Sequence, residues 1–212
     1  MTKQSQASKK AGRDQYHHGD LYESLLSCAT EIIGEGGVEA LSMRKLADRV
    51  GVSRTAPYHH FKDKNELLCA IAEQGFQRQE LMLNQLMQDS TNSDLAHQFT
   101  EYVHTYIELA HENRDQYDLM FGREIWRNNQ PTDSLKNLSH QHFQHWLQWI
   151  DRLQQQDIIR SGNSALRTAQ VTWATLHGIC RLLNDGIYTE QSTLKEMGQA
   201  AISMIMMDSK TP

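Results

Sequence analysis

Eleven histidines are the first residues of this chain whose type and spacing could do chemistry. His97, His104 and His111 recur every seven residues, and His140, His142 and His145 crowd a second stretch. Both patterns invite a metal-binding reading. Seven residues along a helix span about 10 Å of axial rise, too far for two imidazoles to share one ion through bonds of about 2 Å. His142 and His145 could pair, but no acid or Cys stands at a matching offset. The histidines therefore read as a solvated polar face, and no metal is expected. No nucleophile elbow, phosphate-cradling Gly-rich turn, dinucleotide fingerprint or HExxH sequence appears either. The chain is expected to be no enzyme and to need no cofactor.

A different chemistry gathers in "GVSRTAPYHHFKDK", residues 51–64. The whole chain is acidic, with a formal charge of −5, which by itself argues against a phosphate-rich partner. The distribution reverses that inference locally. Residues 20–40 hold Asp20, Glu23, Glu31, Glu35 and Glu39 with no Lys or Arg, whereas residues 42–64 hold Arg44, Lys45, Arg49, Arg54, Lys62 and Lys64 against Asp48 and Asp63. A basic patch with interleaved Tyr, His and Ser suits a nucleic-acid surface.

The elements that must position this patch can be read from caps and periodicity. Leu21, Leu25, Ala29, Ile32 and Ile33 make the apolar face of a first helix opened by Asp20 and stopped by Gly36 and Gly37. Ser42 caps a short second helix with Met43, Leu46, Ala47 and Val50 on one side and Gly51 at its exit. Ser53 then caps a third, and Asp63 with Glu66 opens a fourth through Leu67, Leu68, Ile71 and Phe76. Two short helices joined by so small a turn must cross steeply, as in a helix-turn-helix. Beyond them helices are expected near 77–89, 94–112, 114–128, 134–155, 165–184 and 193–207. The first 18 residues, rich in Ser, Gln and Lys, read as a flexible basic tail.

"EALSMRKLADRVGVSRTAPYHHFKDKNELL" resembles the DNA-binding domain of the tetracycline-repressor (TetR) family, in Gly51-Val52-Ser53, Tyr58-His59-His60-Phe61 and Lys64. The similarity covers about 60 residues, 19–79. "YHHGDL" near the N-terminus and Trp173-x-x-x-His177-Gly178 further resemble one branch of that family, in which Trp-x-x-x-His-Gly marks the C-terminal regulatory domain. The residues of the motif agree with this. Side chains at the start of a recognition helix reach base edges or phosphates. Arg54 and Thr55 are expected to read bases with help from His59, and Ser53 to contact phosphate. The resemblance adds Tyr58 and Lys64 as phosphate contacts, and Arg44 heads the second helix nearby. Pro57, counted from Ser53 as cap, falls at the fourth helical position and loses a backbone bond. Either its ring is exposed to meet a thymine methyl or it stiffens the turn. Phe61 and Val52 belong to the small core, with His60 packed beside them.

For the remainder, Tyr106, Met120, Phe121, Trp126, Trp146, Trp149, Trp173 and His177 are the aromatic and apolar residues that could line a cavity between helices. Aromatics at helical spacing also make plain core. Trp173 and His177, four residues apart, face the same way, and Gly178 in mid-helix suggests close approach of another helix or a ligand.

The expected fold is all-α, with about nine helices: an N-terminal three-helix helix-turn-helix domain over 19–79, its motif at 42–61, and a larger helical bundle over 80–212. The bundle would bind a ligand and form a homodimer through 165–184 and 193–207, setting two reading heads about one DNA turn, roughly 34 to 36 Å, apart on a palindromic operator. The resemblance implies a bacterial transcriptional regulator, most often a repressor released by a small-molecule effector. Three separated cysteines and no signal or membrane-spanning segment fit a cytoplasmic location. A DNA-binding protein without an effector is the rival; a sealed or flooded regulatory core would favour it.

Overall fold

A computed structural model describes residues 18–88, 94–128, 130–160, 162–188 and 192–206; the basic tail expected over 1–18 lies, but for His18, outside them. The described residues are all-α, with one isolated bridge between Ile159 and Met206. In chain order the helices are α1 (His18–Ala40), α2 (Met43–Val50), a 3-10 turn (Ala56–His59), α3 (Lys64–Gln88), α4 (Leu95–Glu112) and α5 (Arg114–Phe121). A π-helical turn (Glu124–Asn128) leads to α6 (Asp133–Gln155), α7 (Ala165–Asn184) and α8 (Ser192–Ile205).

Local chemistry places most boundaries. Ser42 Oγ accepts the Lys45 N–H at 3.2 Å, and Gly51 takes φ 79° to close α2, its N–H on the Ala47 carbonyl. Gly36 and Gly37 break the helical geometry near the end of α1. Thr132, Ser164 and Asp94 cap α6, α7 and α4.

Two expectations need correction. The helices expected at 64–76 and 77–89 are one continuous helix of 25 residues, α3, because no cap or breaker falls between Phe76 and Gln77. The third helix of the motif is only a 3-10 turn with Thr55, not Ser53, at its N-cap position, and Thr55 makes no side-chain capping bond there. Ser53 Oγ instead shares a hydrogen bond with Thr55 Oγ1 at 3.1 Å.

Buried side chains form two cores. One joins Leu25, Leu26, Ile32, Leu46, Phe61, Leu67, Ile71 and Phe76, with Leu119, Met120 and Ile125 reaching in from α5 and the π turn. The other joins Phe99, Tyr102, Tyr106, Trp146, Trp149, Ile150, Leu176 and Ile202. α3 runs through both, with Phe76 in the first and Met82 in the second, so the boundary expected at 79–80 lies within one continuous helix. At Gly75 a side chain would meet Met120 Sδ at 2.3 Å, which shows how closely α3 and α5 pack.

Candidate nucleic-acid interface and effector cavity

α2 buries Met43, Leu46 and Ala47 and turns Arg44, Lys45 and Asp48 outward. Arg49 is engaged elsewhere: its guanidinium forks onto Glu35 at 2.5 and 2.6 Å and lies 3.5 Å from Glu31, fastening α2 to α1. That hydrogen bond, first of all, holds the Glu35 carboxyl below its usual range. Arg44 and Arg54 both stand 3.9 Å from Asp48, so one exposed carboxylate holds two arginines near each other. Exposed pairs of this length contribute little to stability.

In the following turn, Ala56 N–H bonds to the Ser53 carbonyl at 2.9 Å and Tyr58 N–H to Thr55 at 3.1 Å. Pro57 stands at the second position of the turn, where its missing N–H leaves no bond unmade. Its ring is buried. The exposed-proline reading is therefore corrected: Pro57 stiffens the turn from within and has no surface to offer a thymine. Phe61 is buried and stacks on Tyr22 at 5.1 Å, and His60 meets the same ring edge-on. Exposed around this framework are Arg44, Ser53, Arg54, Thr55, Tyr58 and His59, with Tyr58 at 55 %. Lys64 is half-buried and donates to the Val38 carbonyl at 2.6 Å, an anchoring between α3 and the end of α1 that sequence spacing does not reveal.

The candidate ligand residues separate into two groups. Met120, Phe121, Trp126 and Trp173 line a cavity of about 350 Å³, together with Phe76, Ser139, His140 and Phe143. Trp126 forms its lip, its indole N–H donating back to the Met120 carbonyl at 2.7 Å. Trp146 and Trp149 do not line it; they are 2 % and 0 % exposed, Trp146 stacking on Tyr102 and Trp149 meeting both of those rings edge to face. The Trp146 N–H is satisfied by the Ala169 carbonyl at 3.0 Å. These two are closed core, because α6 turns them toward α4 and α7 rather than toward α5.

Tyr106 and His177 stand behind the cavity wall. Trp173 donates to the Tyr106 hydroxyl at 3.3 Å, Tyr106 and Tyr117 hydroxyls are 3.0 Å apart, and Tyr117 lies 2.7 Å from His177 Nδ1. An indole can only donate, so Tyr106 accepts from Trp173, and the sense of the next two bonds is set by the hydroxyl rotors and the His177 tautomer. Trp173 and His177 thus communicate through two tyrosines, neither of which the Trp-x-x-x-His spacing indicates. Burial raises both tyrosine pKa values and lowers that of His177, with Arg181 adding to the latter. Burial also pushes the neighbouring Cys180 thiol up to about 12. All four groups are therefore neutral near pH 7. Next to them Arg181 pairs with Asp118 at 2.6 Å and Asp185 at 2.9 Å.

The solvated reading of the second histidine group is corrected in part. His142 is 4 % exposed and, with His145, hydrogen-bonds Glu80 of α3. Each ring nitrogen addresses a different carboxylate oxygen, so the trio is a clasp between α3 and α6. His142 first, then burial in opposition and His145, set the Glu80 carboxyl below its usual range. Among the described residues no group of three His, Cys, Asp or Glu is arranged to hold a metal ion. Nor, among them, is any helix long and apolar enough to cross a membrane. At Gly178 an added Cβ would meet nothing within 4 Å, so no element among the described residues makes the close approach expected there.

Comparison with known proteins follows the same two regions. Residues 25–71 match the family described as bacterial regulatory proteins, tetR family, and residues 99–205 match the tetracyclin repressor-like C-terminal domain. The class C tetracycline repressor of Escherichia coli is 45 % identical over 51 residues, 24 % of this chain and 23 % of that one. The chain thus spans about a quarter of that curated relative. The transcriptional activator FasR of Mycolicibacterium smegmatis is 28 % identical over 97 residues, covering 46 % of this chain and 43 % of FasR. A solved structure of a protein of unknown function from Rhodococcus sp. RHA1 is 30 % identical, with TM-score 0.76 over 90 % of this chain and 96 % of that one. SmeT, the repressor of the Stenotrophomonas maltophilia efflux pump SmeDEF, is 22 % identical with TM-score 0.64 over 89 % and 91 % of the two chains. With its helix-turn-helix and more than half its length matched in this way, the chain belongs to the TetR family of bacterial regulatory proteins.

Proposed function

We propose that this chain is a cytoplasmic, sequence-specific DNA-binding transcriptional regulator, acting as a repressor whose hold on a palindromic operator is released by a small molecule bound in the cavity beside α5. The observation that carries the reading is the set of exposed side chains on α2 and the following turn. Arg44, Ser53, Arg54, Thr55, Tyr58 and His59 face solvent, while Met43, Leu46, Pro57 and Phe61 of the motif are buried. Arg54 and Thr55 at the mouth of the turn are the base readers; Ser53 and Tyr58 contact phosphate. Lys64 keeps two further donors for phosphate beyond the one given to Val38.

Two copies would associate through α7 and α8. Leu166, Val171, Leu182 and Met204 are exposed there, and the open space above Gly178 suits a partner helix. α5 is the natural transmitter. Its Met120 and Phe121 wall the cavity, while Asp115, Asp118 and Leu119 border a cleft against Ile33, Gly37 and Val38 of α1. A ligand that moves α5 would move α1 and the reading head, and ligand and DNA would weaken each other reciprocally. The open cavity supports this over an effector-independent role.

Selection of bound sites from random duplex DNA tests the reading. Enrichment of an inverted repeat is expected, and a pool that stays random after repeated rounds rejects it.

A further inference from the structure

We infer that the cavity beside α5 takes an uncharged, flat aromatic ligand bearing one hydrogen-bond donor, which the Ser139 hydroxyl receives. The inference rests on the reading of that cavity as an effector site. Its walls are rings: Phe121 meets Phe76 edge to face at 5.3 Å and Trp173 at 5.7 Å, and Phe143 leans on Trp173 at 5.7 Å. Such walls accept a planar ring between them.

Both indole N–H groups at the cavity are already committed within the protein, Trp173 to the Tyr106 hydroxyl and Trp126 to the Met120 carbonyl. The ring walls therefore present π faces and carbon edges, and the remaining ring N–H of the lining belongs to His140 at the exposed rim. Among the described residues lining the cavity there is no Asp, Glu, Lys or Arg. A fully charged ligand would be desolvated there with no counter-charge to meet it. Ser139 is the polar exception inside the wall. Its O–H donates to the Lys136 carbonyl at 2.9 Å, one turn back along α6, which leaves its lone pairs free to accept. His140 follows it at the exposed rim. A volume of about 350 Å³ is near the lower end for organic ligand sites, which suits a fused two-ring body better than a long chain.

Calorimetric titration of the full chain at pH 7 with four probes of one shape decides the matter: 2-naphthol, 2-methylnaphthalene, 2-naphthoate and 2-naphthyltrimethylammonium. Naphthol should bind tightest, by about 2- to 10-fold over methylnaphthalene for one added hydrogen bond and by at least about 10-fold over either ion. Ser139→Ala, a change that favours the helix, should reduce naphthol to the affinity of methylnaphthalene and leave methylnaphthalene unchanged. Ser139→Trp, which blocks the wall, should abolish binding of every probe. Tighter binding of an ion, equal binding of naphthol and methylnaphthalene, or an intact naphthol preference in Ser139→Ala would overturn the ligand class while blockage by Ser139→Trp still upheld the site. Binding indifferent to Ser139→Trp in a folded variant, or no binding of any probe, would overturn the site itself. Should Ser139→Trp fail to fold, displacement of naphthol by methylnaphthalene upholds the shared site, and its absence counts against it.

Discussion

Tyr117→Phe removes one oxygen atom from the middle of the Trp173–Tyr106–Tyr117–His177 chain and little else. The ring stays, and with it the stacking on His177 at 5.5 Å and the edge contact with Tyr106 at 6.2 Å. Two hydrogen bonds go, at 3.0 and 2.7 Å. Each is worth about 0.5–1.5 kcal/mol net. The two losses are unequal. Tyr106 is fully buried, so its hydroxyl keeps the Trp173 donor but no water can take the place of the lost partner, which puts that loss at the upper end. His177 is only half-buried and water can reach its ring, which puts the second loss at the lower end. The sum is about 2 kcal/mol, or a fall in Tm of about 4–8 °C for a chain of this size. Chemical denaturation followed by tryptophan fluorescence measures it, and the double variant with Tyr106→Phe should destabilise by less than the two single changes added together, since the 3.0 Å bond between them is counted twice. A loss below about 0.5 kcal/mol, or strict additivity, would refute the claim that the chain is a connected network.

Gly122→Ala should destabilise by about 1–3 kcal/mol, because the new Cβ would stand 2.1 Å from the Asp118 carbonyl oxygen and must break the end of α5; an unchanged Tm in calorimetry would contradict it. Pro57→Ala should lower stability while leaving the preferred base sequence unchanged, since the ring is buried; altered preference in a binding-site selection would restore the discarded reading. Stability should also fall with acid in two stages. The His177 pKa is lowered below 6.5, so the unfolded chain takes up that proton first, and stability that is complete above about pH 6.5 drains as the pH falls through that value toward the folded pKa. Glu80, lowered below 4.5, contributes stability above its unfolded value that disappears only as the pH falls through its still lower folded value. Denaturation midpoints across pH 3–8 for the native chain and His177→Gln check this, the variant losing the upper stage.

What could be read in the sequence was whatever depends on near neighbours along the chain. Ser42 and Gly51 bound α2 as expected because capping acts over three or four residues, and the apolar faces of α1 and α2 follow from periodicity alone. Counting the helix from Ser53 sets the Pro57 ring outside, whereas the chain starts its turn at Thr55 and tucks the ring under it. The interface residues could be found from type and position, but which basic groups stay free could not. Arg49 is taken by Glu35 from another helix and Lys64 by a carbonyl 26 residues away. Among the aromatics, Phe143 and Trp146 are three residues apart on α6, yet the first lines the cavity and the second is sealed. Only the angle at which α6 meets α5 and α7 separates them, and periodicity carries no information about that angle. The clasp of Glu80 on His142 and His145 spans more than 60 residues and left no local mark.

The central claim, that the exposed face of α2 and the turn after it reads DNA, is tested most directly by fluorescence anisotropy on a selected operator and a scrambled duplex with the native chain, Arg54→Ala and Tyr58→Phe. Tyr58→Phe should weaken both duplexes by a similar factor, whereas Arg54→Ala should weaken the operator by about 1–3 kcal/mol more than the scrambled duplex. Affinities of both variants equal to the native chain on both duplexes would contradict the claim.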